Sequence, residues 1–214
     1  MGSKNKTIVP DATATENENE EVDLSSILSM PARSLEVDSI LFDKGVIIIE
    51  EEDKSEFTAF RAKQKILSMA LDPGVKDIHI FFNSGGGDVD TFVGLYGAIE
   101  FAQKFYKKKV TSIVNGYAAS GAAFASQAAS FRAITRNSFF MIHEMRYQTG
   151  EGTVNDHLNN AEAYNKFQNV LFKVWAQKMG ISIKELKDLL HKKGPDVWYD
   201  AHGAVKAGLA DEVI

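Results

Sequence analysis

This sequence predicts an α/β fold built on a largely parallel sheet. Two observations carry the prediction. From about residue 36 onward, short β-rich runs alternate with longer stretches of helical period. Strands separated by helices of that length need crossover connections, which join parallel neighbours. The size agrees: a chain of 214 residues, 44% apolar and 25% charged, is long enough to bury roughly 70% of its unfolded surface in one sizeable domain.

Taken in order, a strand is expected over Ser39–Glu50. A helix over Glu56–Leu71 follows, where Phe57, Phe60, Ile66 and Met69 recur at roughly helical spacing. Next come a strand over Asp77–Asn83, a helix over Asp90–Phe105 carrying Phe92, Leu95, Ile99 and Phe101, and a strand over Lys109–Asn115. A helix that opens on small residues starts near Ser120, and a strand spans Arg132–His143. Helices over Asn155–Met179 and Ile183–Lys192 and a short strand over Val197–Tyr199 complete the pattern. Residues 36–214 contain no linker and no short-period repeat, so they read as one domain.

The chain before it reads differently. Residues 1–24 hold two basic side chains against six acidic ones, which accounts for −4 of the formal charge of −5. With few large apolar side chains and no hydrophobic period, the segment cannot offset the entropy of ordering. Residues 1–35 are therefore expected to form a disordered acidic tail. They lack the apolar region of a secretory signal and the Arg-rich, acid-poor character of a transit peptide. The composition also excludes function classes. Without cysteine there is no disulfide scaffold, no thiol nucleophile and no Cys-based metal site, and a reducing, cytoplasmic location is expected. The net acidity argues against a nucleic-acid-binding domain, and no apolar run is long enough to span a membrane.

Three segments carry residues that chemistry could use. Phe81-Phe82-Asn83-Ser84-Gly85-Gly86-Gly87-Asp88 leaves an apolar strand and enters a helix. Its glycines free backbone N–H groups to turn toward an anion, so it reads as a phosphate cradle, an oxyanion hole or a plain tight turn. A dinucleotide fingerprint fails because Asp90 stands where the last glycine belongs, and a Walker A loop fails for want of its Gly-Lys-Ser/Thr ending. In the second segment, Val114 to Ala123, a strand runs into a helix that begins at Ser120. Ser120 reads either as an N-cap or as a nucleophile, with the Gly121 N–H free to face a developing oxyanion. Ala118 and Ala122 occupy the glycine positions of a G-x-S-x-G elbow, so that motif is absent.

The third segment, Asn137 to Glu144, delivers a histidine at the end of an apolar strand. Among His79, His143, His157, His191 and His202, only His143 sits where a strand end meets such a site. No pair has H-E-x-x-H spacing, which excludes that zinc-hydrolase motif. For a carboxylate to complete a triad, Asp196 lies in the turn before a short strand. Asp200 and Asp211 are rivals that spacing does not separate.

Read together, these segments resemble the proteolytic subunit family of the Clp protease (ClpP), over roughly residues 40–214. The family's Asn-Ser-Pro-Gly-Gly stretch matches Asn83-Ser84-Gly85-Gly86-Gly87, and its Gly-x-Ala-Ser segment matches Tyr117-Ala118-Ala119-Ser120 after Gly116. Its Met-Ile-His matches Met141-Ile142-His143. Near the C-terminus, Pro195-Asp196-Val197-Trp198 and then Gly203-Ala204 and Gly208-Leu209-Ala210-Asp211 match the family's Arg-Asp-x-aromatic and the segment that follows.

The resemblance implies a crotonase-like spiral of ββα units with a handle helix at Asn155–Met179. It implies a serine endopeptidase acting inside an oligomeric chamber of two stacked heptameric rings. Carried over residue by residue, Ser120 is the nucleophile, His143 the general base that then serves as acid, and Asp196 the carboxylate that orients the imidazole. The backbone N–H groups of Gly86, Gly87 and Gly121 form the oxyanion hole. No metal or cofactor is required. The implied partners are polypeptide substrates, further copies of the chain and, as a candidate, a Clp ATPase unfoldase, with neither nucleic acid nor membrane.

Departures from the pattern open alternatives. Gly85 stands where the family has proline, and Glu144-Met145 where it has Gln-Pro; a Glu144 facing the site would raise the imidazole pKa. The family's axial-loop and docking features are hard to find among residues 1–45. One alternative is a phage-type head maturation protease acting without an ATPase, in host cytoplasm or prohead. Another is a crotonase-superfamily acyl-CoA enzyme, which would not need Ser120, His143 and Asp196 together.

Overall fold

The hydrophobic period that marks the helices also decides which faces turn inward. In a computed structural model describing residues 32–50, 57–146 and 150–214, the elements run in chain order as α1 (Ala32–Asp43), β1 (Val46–Glu50), α2 (Phe57–Leu71), β2 (Asp77–Ser84), α3 (Val89–Tyr106), β3 (Lys109–Ala119) and α4 (Ser120–Ser126). They continue as β4 (Phe131–Ile134), β5 (Phe139–His143), α5 (Val154–Met179), α6 (Ile183–Lys193), β6 (Asp196–Asp200), α7 (Ala201–Lys206) and β7 (Glu212–Val213). On α2 the buried positions are Ala59, Ala62, Ile66, Met69 and Ala70, and on α3 they are Phe92, Leu95, Ala98, Ile99 and Ala102. Both sets follow the three-and-four spacing of one helix face. Each packs against a sheet whose inward side chains, among them Ile47, Ile49, Ile78, Ile80 and Phe82, are almost wholly buried.

The sheet is largely parallel, as expected. Strands β1, β2, β3, β4 and β7 lie side by side in that order, all parallel. β3 is the axis of the arrangement. One of its edges pairs with β2, whereas the other is divided, Thr111–Val114 pairing with β4 and Tyr117–Ala119 with β5. The turn at 135–138 fills the fork. There the Thr135 N–H donates to the Val114 carbonyl at 2.9 Å, and Ser138 Oγ accepts the Gly116 N–H at 2.8 Å. β6 then pairs antiparallel with β5, in a register that sets Asp196 opposite His143.

Two expected strands need correction. Ser39–Glu50 is not one strand: Ser39–Asp43 close helix α1, and only Val46–Glu50 are extended. The apolar run Ile40-Leu41-Phe42 suits either state, and the arbiter is Gly45, whose φ of +68° and N–H bond to the Phe42 carbonyl turn the chain out of the helix. Arg132–His143 is divided at the Thr135–Ser138 turn, which the Ser138 N–H closes onto the Thr135 carbonyl. The expected strands Lys109–Asn115 and Asp77–Asn83 extend to Ala119 and Ser84. The long helices begin where their caps dictate. α5 starts at a capping box of Thr153 and Asp156, and α6 at one of Ser182 and Glu185. The proposed acidic tail lies outside the described residues, apart from the start of α1. Among the described residues no helix is long and apolar enough to cross a membrane.

Candidate active site

β3 ends on Ala119, which is extended at φ −126°, and Ser120 opens α4 with φ +54°. A non-glycine residue in that left-handed region costs about 1–3 kcal/mol and persists only where its surroundings enforce it. Here they do so from two sides. The Gly86 backbone packs so closely that a Cβ on it would lie 2.7 Å from both the Ala119 carbonyl oxygen and the Gly121 nitrogen. Behind Ser120, a Cβ on Gly121 would meet the Phe92 ring at 2.6 Å, which is why α4 opens with small residues. Ser120 is therefore no N-cap. Ala119 holds that position, no side chain caps the helix, and the Ser120 hydroxyl faces His143 instead.

Ser120 Oγ and His143 Nε2 are 2.7 Å apart. With the ring proton on Nδ1, the serine hydroxyl donates to Nε2. His143 closes β5 and Asp196 opens β6, so the antiparallel register delivers the carboxylate to the other side of the imidazole. The approach is incomplete: Nδ1 stands 3.7 Å from Asp196 Oδ1 and is buried without a hydrogen-bond partner. The same oxygen accepts a hydrogen bond from Arg146 Nη2 at 2.5 Å. Burial pushes the His143 pKa below its ordinary value. The Arg146 guanidinium pushes the same way, and the pull of Asp196 in the other direction does not offset them. Glu144 does not act on the ring as its position in the sequence suggested. It turns to His191, 3.7 Å from Nε2 of that residue, and the imidazole is shifted down rather than up.

The glycine segment leaves β2 beside the serine. The Gly86 N–H donates to Ser84 Oγ at 3.2 Å, so it is engaged within its own loop. Gly87 instead lines a cavity of about 210 Å³ together with Ser120, Gly121, His143 and Arg146. The rest of that cavity is apolar: Val89 and Phe92 from α3, Phe124 from α4, Met145, and Leu171 and Trp175 from α5. α5 also holds the loop after His143, because Gln168 Oε1 accepts the Met145 N–H at 2.9 Å. An acyl chain or peptide side chain in this cavity would have its polar end beside Ser120.

The rivals to Asp196 have other work. Asp200 caps α7 by accepting the Gly203 N–H, and Asp211 pairs with Arg132. His79 lies in β2 opposite Val46, and His157 and His202 lie on α5 and α7. Reading the sequence missed Arg146 and the α5 wall of the cavity. Arg146 sits in a loop with no local pattern. Leu171 and Trp175 look like any inward face of a helix.

The Clp protease family model matches residues 29–214. The ATP-dependent Clp protease proteolytic subunit of Streptococcus mutans is 34% identical over 154 residues, covering 70% of this chain and 74% of the relative. That of Streptococcus suis is 32% identical over 186 residues, covering 85% and 90%. The mixed α/β fold with its central sheet is consistent with that family.

Proposed function

Because the chain belongs to the Clp protease family, we propose that it is a serine endopeptidase using Ser120, His143 and Asp196. The observation that carries the reading is the 2.7 Å contact between Ser120 Oγ and His143 Nε2, made by a serine in a strained backbone conformation. A serine hydroxyl is a weak nucleophile until an adjacent imidazole takes its proton. As Ser120 attacks the peptide carbonyl, Nε2 receives that proton and later passes it to the leaving amine. Asp196 orients the ring through Nδ1 and stabilises the imidazolium. The tetrahedral oxyanion is met by the Gly121 N–H and by that of Gly87, with Gly86 holding the loop against the serine. The apolar cavity beside Ser120 takes a hydrophobic substrate side chain.

Assembly belongs to the same proposal. Val154, Leu158, Phe167 and Val170 leave large apolar side chains exposed along α5, and a second copy would cover them in a chamber of stacked heptameric rings. The relatives' name, ATP-dependent proteolytic subunit, supports a further step, that an ATPase unfoldase feeds the chamber. A reaction on acyl-CoA would have no use for the serine–histidine contact.

The test is labelling by a fluorophosphonate with native mass measured in parallel. Labelling that disappears in Ser120→Ala and a particle many times the monomer mass are expected. Labelling that persists would reassign the nucleophile, and a monomer at working concentration would reject the chamber. ATP-stimulated degradation of a folded substrate with a Clp ATPase present tests the last step.

A further inference from the structure

Asp196 Oδ1 lies between two claimants. Arg146 Nη2 holds it at 2.5 Å, while His143 Nδ1 stands 3.7 Å away, too far for a hydrogen bond. Nδ1 is also buried without another partner. A buried donor left unpaired is costly, so the ring favours any rotation of Asp196 toward it. Opposing that rotation is an ion pair whose arginine side chain is 65% exposed, and pairs of this kind are weak and screened by salt. The two arrangements are therefore close in free energy, and the guanidinium decides between them.

We propose that Arg146 is a positioning residue that holds the triad open, by taking the carboxylate oxygen that His143 needs. Loss or screening of the pair lets Asp196 close onto Nδ1 and makes Ser120 more reactive. Arg146 lines both the cavity beside Ser120 and a second one bounded by Glu144, Leu190, His191 and Pro195. A peptide lying across the two would offer the guanidinium backbone carbonyls in competition with Asp196, so substrate itself would draw the catch aside. The charged groups acting on the imidazole are Arg146 and Asp196, Glu144 being turned to His191.

The inference rests on the triad proposed above, and its test separates the two. Fluorophosphonate labelling rates are measured for the full chain, Arg146→Ala and Arg146→Lys at low and high salt, with Ser120→Ala as the blank and melting temperature as a check of folding. Arg146→Ala should label roughly two- to fivefold faster at low salt, the range such an exposed pair spans. Salt should bring the unmodified protein up toward that rate and leave Arg146→Ala unchanged. Arg146→Lys, which keeps the charge without the planar fork, should fall between. The acid limb of the rate profile should move to higher pH in Arg146→Ala, because a nearby cation is gone and a carboxylate has come closer. Ser120-dependent labelling that is unchanged or slower in Arg146→Ala, or an acid limb that stays in place, would overturn the inference alone. No Ser120-dependent labelling in any form of the chain would overturn the triad, and the inference with it.

Discussion

Two arginine–aspartate pairs of the same chemistry do opposite things in this fold. Arg132 and Asp211 tie β4 to the segment before β7. Besides its contacts with both Asp211 oxygens, Arg132 donates to Gln127 Oε1 and to the Gly208 carbonyl at 2.8 Å each, and the two residues also bond through their backbones. The arginine side chain is 11% exposed. Burial pushes the Asp211 carboxyl up, but the Arg132 hydrogen bonds and charge outweigh it and leave the pKa below the usual carboxylate range. Arg146 and Asp196 meet through one contact, with the arginine largely in solvent. An ion pair becomes a rivet when other groups satisfy its remaining donors and acceptors. Left to a single exposed contact, it is a catch.

That contrast yields predictions of decreasing size. Ser120→Ala should lower peptide turnover by about a million-fold, by analogy with triad knockouts, with the melting temperature nearly unchanged, since alanine keeps the Cβ and with it the strained φ of +54°. Asp196→Asn should cost roughly ten-thousand-fold in kcat and leave stability nearly untouched, whereas Asp211→Asn should do the reverse. If Asp211→Asn proved the worse enzyme, the roles of the two aspartates would be exchanged. Arg132→Ala should destabilise by about 2–3 kcal/mol in denaturant titration, since it strips a mostly buried network, with labelling of Ser120 intact. Because the Asp211 pKa is depressed in the fold, its contribution is present above the ordinary carboxylate pKa and lost as pH falls through the folded value. Acid unfolding of Asp211→Asn should accordingly be less steep. The smallest effect is on activity: with His143 held below its ordinary pKa, the acid limb of kcat/KM should lie below the pH at which an unperturbed histidine titrates.

Legibility in the sequence follows the range of the forces involved. Glu56–Leu71 and Asp90–Phe105 were readable because a helix face is written in spacing of three and four residues, and their ends moved by a single position. Helix α1 was misread because Ile40-Leu41-Phe42 has no such spacing and its end depends on one glycine. Ser120, His143 and Asp196 each stand at a strand boundary, which local pattern can find. Their meeting depends on register between strands distant in the chain, and only the family resemblance supplied that. Arg146 belongs to no motif, and its effect exists only because the β5–β6 register brings Asp196 within its reach.

The divided edge of β3 has a consequence for how the protein comes apart. β4, with β7 beyond it, pairs with the first half of β3, and β5, with β6 beyond it, pairs with the second; the serine lies just past the end of that second half. The β5–β6 ribbon can therefore open as a cooperative unit while the five parallel strands β1, β2, β3, β4 and β7 stay zipped, and hydrogen exchange would register two protection levels along one strand. Such an opening would take His143 and Asp196 away together while Ser120 keeps its place, so a chain that works by the proposed triad could be inert and still folded.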